Sequence, residues 1–244
     1  MGASSSIMCK NVSCMDSIPQ YSIEDVKKNF LIVNDEKTFR RYIDYAIKND
    51  HMKQIEKYLA NNGYTRTECD CVSGETKTVL TTGEKPFNAF ARYASYEMKN
   101  PVDQIILKDH MKKWMVCHNR PENDMKWNDV NNKSASMCGS DEKGPGHVFI
   151  TTKELDWKNF NILTIVLSKN VEFLLELKEV AMHYVKQRGW KKAGMYFHCF
   201  PHNSVNSLHL HIVNEEEKYI GHMHGECKYK NLPLDVAIKV AQSL

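Results

Sequence analysis

The segment from Tyr196 to Asn214, Tyr-Phe-His-Cys-Phe-Pro-His-Asn-Ser-Val-Asn-Ser-Leu-His-Leu-His-Ile-Val-Asn, constrains the fold more than any other part of the chain. From Leu208 to Val213 apolar residues alternate with histidine. An extended strand therefore puts Leu208, Leu210 and Ile212 on one face and His209 and His211 on the other. The apolar back calls for a packed layer behind it. The front carries two imidazoles, which near neutral pH are both nucleophiles and metal ligands. The plainer alternative is a pair of partly exposed histidines on a sheet edge. Met195 to Phe200 is expected as a companion strand, joined to Leu208–Val213 by a turn through Pro201-His202-Asn203.

Ser207 to Val213, Ser-Leu-His-Leu-His-Ile-Val, resembles the signature His-φ-His-φ-His-φ-φ (φ apolar) of the histidine-triad nucleotide-binding superfamily, with Ser207 at the first histidine. Ser204-Val205 is similar to the phosphate-contacting Ser-Val that comes just before that triad. Pro145 to Lys153 is similar to the family's Pro-x-His-φ-φ-φ-φ-Pro-Lys strand, with His147 as the fourth imidazole and Thr152 in place of the second proline. Leu155 stands where a further histidine is often found. His198 and Pro201 form a His-x-x-Pro that resembles the aprataxin and scavenger-decapping branches, although the stretch before the triad is two residues longer here. Glu154-Leu155-Asp156-Trp157 faintly resembles the Asp-Leu-Lys-Trp of the decapping enzymes, with the charge reversed at Asp156.

The resemblance covers roughly residues 115 to 244. It implies a nucleotide hydrolase or nucleotidyltransferase in which His209 attacks phosphorus and passes through a phosphohistidine intermediate. His211 and Ser204 then hold phosphate oxygens, and His147 and His198 complete the catalytic set. Ser207, Lys153 and Asn206 join Ser204 as substrate-binding candidates. No metal and no cofactor is implied. The expected partner is a nucleotide or nucleotide-derived small molecule, with an RNA or DNA end, a peripheral membrane surface and a second copy of the chain as further candidates. Serine at 207 cannot carry a proton charge at neutral pH. The alternative is therefore a nucleotide or RNA-end binding protein with impaired chemistry, or a lipid-anchored interaction protein.

Composition bounds these readings. A chain of 244 residues can bury a sizeable core. A net charge of +3 makes no strong case for nucleic acid. The cysteines, at 9, 14, 69, 71, 117, 138, 199 and 227, are scattered, and no apolar run is long enough for a signal peptide or a membrane span. A cytoplasmic home is expected. Zinc at Cys69-x-Cys71 with Cys117-His118 is disfavoured, because a one-residue gap strains the chelate.

Residues 1–20 are expected as a flexible tail. Met1-Gly2-Ala3-Ser4-Ser5-Ser6 fits the N-myristoylation pattern at Gly2, and Cys9 and Cys14 offer a second lipid signal. The alternative is an ordinary small-residue start. Residues 21–115 are expected to be mainly helical, opening at Ser22 with Asp25 as a capping box and carrying Phe39, Tyr42, Ile43 and Ala46 on one face. A second helix is predicted over His51–Ala60. A hairpin follows within 64–86, closed by Pro86, and helices are predicted over Phe87–Met98 and Val102–Met115, the last burying Ile105, Ile106 and Met111.

Residues 119–146 are polar and rich in Gly, Pro and Asn, and are expected as a long loop or two short strands with turns. The strongest helical pattern runs from Ser168 to Gln187, with Val171, Leu174, Leu175, Lys178, Ala181, Met182 and Val185 as its packed stripe and Gly189 as its stop. Lys186, Arg188, Trp190, Lys191 and Lys192 then mix basic and aromatic residues, as a nucleic-acid contact or a solvated helix end does. His222 and His224 are held in reserve. A closing helix is predicted over Asn231–Leu244 with Pro233 in its first turn. The expected fold is α+β: an antiparallel sheet of about five strands like that of the histidine-triad family in residues 116–244, with a packed long helix, preceded by the helical region.

Overall fold

In a computed structural model the chain is α+β, built on a five-stranded antiparallel sheet with helices packed against it. The structure describes residues 29–30, 32–61, 65–69, 76–82, 85–86, 105–110, 112–118, 146–154, 156–199, 207–215 and 230–244. Expectations for the 1–20 tail with Gly2, for Ser22 and Asp25, for the helix over 87–98, for the loop over 119–145 and for His222 and His224 lie outside these residues.

Helix α1, Glu36–Lys48, starts where Asp35 accepts a hydrogen bond from the Thr38 N–H at 2.9 Å, satisfying one of the donors a helix start leaves open. Its buried face is Phe39, Tyr42, Ile43 and Ala46, as the spacing predicts. Helix α2 covers His51–Asn61. A small antiparallel sheet follows, with β1 (Thr65–Cys69) and β2 (Thr76–Thr82) as the expected hairpin. Pro86 lies in a short third strand, β3 (Lys85–Pro86), paired to β2.

The main sheet has the order β4-β5-β7-β6-β8, from β4 (Trp114–His118), β5 (His147–Thr152), β6 (Ala193–His198), β7 (Leu210–Asn214) and β8 (Asn231–Pro233). The helix predicted over Val102–Met115 is not formed as such. Among the described residues only Ile105 and Ile106 of that stretch are helical, and its last two residues begin β4. Ile106 is buried, but Ile105 is exposed. Trp114, Met115 and Val116 are all buried, so both faces of β4 are covered and no alternation marks it as a strand. The closing helix also begins later than predicted. Asn231–Pro233 pairs along β6, and α5 (Leu234–Gln242) starts only after Pro233, its N-cap.

Between β5 and β6 lie α3 (Ile162–Leu167) and α4 (Val171–Gln187). Asn161 and Thr164 close α3 with a reciprocal capping box: the Thr164 N–H donates to Asn161 Oδ1 and the Asn161 N–H to Thr164 Oγ1. Gly189 ends α4 as predicted. It sits at φ +66°, donates its N–H to the Lys186 carbonyl, and lets Trp190 donate to the Val185 carbonyl. This paired closure needs a left-handed residue, the conformation glycine adopts most cheaply.

The packed stripe of α4 is rotated from the predicted one. Phe173, Leu174, Leu177, Val180, Ala181, Tyr184 and Val185 are buried, whereas Leu175 and Met182 are exposed. Lys178 lies outside that stripe and pairs with Asp235 of α5. One core joins these layers. Phe39, Tyr42 and Ile43 of α1 belong to the same buried cluster as Leu174 and Leu177 of α4 and Leu210 and Ile212 of β7. Glu36 of α1 pairs with Lys239 of α5, and Arg40 donates to the Ser243 hydroxyl.

Candidate functional site: a histidine face on the central strand

Strand β7 occupies the middle of the five, so its histidines are not on a sheet edge. Leu208, Leu210 and Ile212 are buried in the core, as the alternation requires. The opposite face gathers its residues by register. Phe149 of β5 and Tyr196 of β6 both stand opposite His211, and Cys117 of β4 stands opposite Phe149. Two residues along each strand on the same face come His147, His198 and His209.

His211 is the hub of this cluster. Its Nδ1 shares a hydrogen bond with His147 Nε2 at 2.9 Å. Its ring centroid lies 4.4 Å from that of His198 and 4.7 Å from that of His209. His198 Nε2–H donates to Asn231 Oδ1 at 2.9 Å, which ties the cluster to the edge strand β8. Phe149 meets His209 edge-on at 5.6 Å. His147, His209 and His211 are all buried, between 5% and 8% exposed.

His209 Nδ1–H donates to the Ser207 carbonyl at 2.7 Å, because a carbonyl can only accept. Burial pushes the His209 imidazole down to about 4, and nearby His147 adds to the shift against the opposing pull of the Ser207 bond. His209 is therefore neutral at pH 7, and with Nδ1 protonated its Nε2 carries the lone pair. Ser207, the position of the missing first histidine, takes part through its main chain.

Among the described residues no group of three or more His, Cys, Asp or Glu side chains is disposed to hold a metal ion. One ring nitrogen of each of His147, His198, His209 and His211 is directed to a neighbouring imidazole, to Asn231 or to the Ser207 carbonyl.

The four candidate catalytic residues His147, His198, His209 and His211 thus converge. Lys153 does not join them. It follows the far end of β5 from His147, and its N–H donates to the Lys113 carbonyl at 2.7 Å. Ser204 and Asn206 lie outside the described residues. Sequence reasoning missed Phe149, Tyr196 and Asn231. Phe149 and Tyr196 share the parity of His147 and His198, which is a usable signal. Asn231 stands on a three-residue strand that offers none.

Tyr196 donates to Glu215 at 2.5 Å, and burial together with that carboxylate pushes its phenol well up. Gly194 makes the pair fit. A Cβ there would run into the Tyr196 ring and the Glu215 carboxylate. Glu215 also pairs with Lys192 at 3.5 Å, so the face is linked to the basic turn that follows α4. In that turn Trp190 is buried edge-on to Tyr184, and the Arg188 guanidinium lies 5.8 Å from the Tyr184 ring centre and 5.9 Å from that of Trp190. Trp190 is therefore structural, and stacking on a nucleic-acid base is not open to it. Lys186, Lys191 and Lys192 remain exposed.

A model of one family matches residues 103–232, a little over half of the chain: BCAS3 microtubule associated cell migration factor, C-terminal. The chain belongs to that family. The matched span contains β4 to β7, α3, α4 and all four clustered histidines. No curated protein and no solved structure matches the chain.

This membership corrects the histidine-triad assignment. The nucleotide hydrolase or nucleotidyltransferase and its phosphohistidine intermediate fall with it, and nothing in the match supports the nucleotide-binding or lipid-anchored alternatives. A short alternation of histidine with apolar residues specifies a central strand with an imidazole face. That pattern alone does not specify a reaction.

Proposed function

We propose that this chain is a microtubule-associated interaction module of a cell-migration factor, and that it meets its polymer through the basic turn after α4. The observation that carries this reading is the match across residues 103–232 to the family of a microtubule associated cell migration factor. The surface chosen within that span is an exposed positive one among the described residues. Lys191 and Lys192 are exposed at the end of a seventeen-residue helix whose start and stop are both capped, and Arg188 lies beside the Tyr184 and Trp190 rings. Such a rigid platform loses little conformational entropy on binding.

The histidine face has a different place in this account. Buried and internally hydrogen-bonded, it holds β5, β6, β7 and β8 in register behind that platform, with Glu215 bridging Tyr196 and Lys192. The test is co-sedimentation of the full chain with polymerised tubulin. The Lys191→Glu, Lys192→Ala pair is expected to weaken binding about tenfold, and added salt to weaken the parent more than the variant. Equal binding by parent and variant at every salt concentration removes the basic turn as the contact.

A further inference from the structure

Helix α4 is apolar on more than one side. Beyond its core face it exposes Leu175, 41% accessible, and Met182, 52% accessible. Glu172, Glu179 and Lys186 are exposed with them. At 3.6 residues per turn these five positions fall within about 80° of one another, so they form a single outward stripe. Ile105, 76% accessible, stands near the same surface, because His183 Nε2 lies 2.9 Å from the Ile106 carbonyl.

We propose that this stripe is a self-association surface, on which α4 of a second copy packs antiparallel across a two-fold axis near positions 178 and 179. The order of residues along the stripe selects this occupant. Reversing the stripe puts Leu175 against Met182 of the other copy, and Met182 against its Leu175. Glu172, in the first turn, then faces Lys186 in the last turn of the partner helix, and the same pair forms again at the other end. A two-fold interface requires each contact to occur twice, and this sequence meets that condition at both the apolar and the charged positions. The antiparallel arrangement also sets the two helix dipoles head to tail.

Glu179 is the one stripe residue that opposes pairing. The two copies flank the axis, where like charges meet. The inference goes beyond the microtubule reading and does not depend on it, since its residues are not those of the basic turn tested there.

Sedimentation velocity of the full chain across a micromolar concentration series tests the proposal, with circular dichroism to confirm that each variant is folded. Concentration-dependent dimerisation is expected, weakened about tenfold or more by Leu175→Glu or Met182→Glu. Glu172→Lys and Lys186→Glu are each expected to weaken it about threefold, and the double charge swap to restore it. Glu179→Gln is expected to tighten it. A chain that stays monomeric throughout the series overturns the proposal, as does a dimer indifferent to Leu175→Glu and Met182→Glu or one the double swap does not rescue.

Discussion

At Gly194 the absence of a side chain decides what its neighbours can do. The Tyr196 phenol and the Glu215 carboxylate occupy the space a Cβ needs, and their bond closes one end of the histidine face. Gly194→Ala is expected to lower stability by about 1–3 kcal/mol, read as a lower denaturant midpoint with an unchanged m-value. Two buried histidines define a second residue-level effect. Burial holds both His51 and His209 down to about 4, below the 6.5 of an unstrained imidazole. The unfolded chain thus binds more protons than the folded one between those values, and stability falls as pH drops from about 6.5 towards 4. Each group accounts for up to about 3 kcal/mol of that loss. Thermal melting across this window is expected to show the decline, and His51→Gln is expected to flatten it by roughly half.

At the scale of elements, caps and register do most of the specifying. Asn161→Ala removes one half of the reciprocal box at the start of α3 and is expected to cost about 1 kcal/mol, measured by chemical denaturation. Element by element, the sequence was readable where one face is buried and the other is not. The α1 stripe, the apolar side of β7 and the Gly189 stop all stand as the pattern indicates. It misled where burial is two-sided or the element is short. Trp114-Met115-Val116 is buried throughout and continued an apparently helical run, while Asn231–Pro233 is too brief to separate from the helix after it. Ile162–Leu167, apolar at five of six positions, gives no period from which to tell helix from buried strand. Leu175 and Met182 fitted a core stripe on paper. The buried face instead carries Phe173, Leu177 and Tyr184, two of them larger aromatic side chains, so those two face outward.

The candidate site was legible in its histidines, because alternation places His209 and His211 on one face and register brings His147 and His198 beside them. Its chemistry was not. A motif of seven residues fixes neither the hydrogen-bond partners of each ring nor what lies beyond the strand. Here His147 and His211 bond to each other, and the position that lacks a histidine contributes a main-chain carbonyl to His209.

In the whole molecule, α1 and α5 pack together through Glu36–Lys239 and Arg40–Ser243, and a single buried cluster runs from Phe30 to Ala241. The sheet presents the histidine face on one side and packs helices on the other, while α4 carries an apolar stripe outward and ends in the basic turn. These two surfaces give the proposed module a way to pair with itself and a way to meet a polymer. The most direct test of the account is whether the full chain pellets with polymerised tubulin and stays in solution with unpolymerised tubulin. The account predicts saturable pelleting with the polymer alone. A chain that remains in the supernatant at every polymer concentration, at low salt, contradicts it.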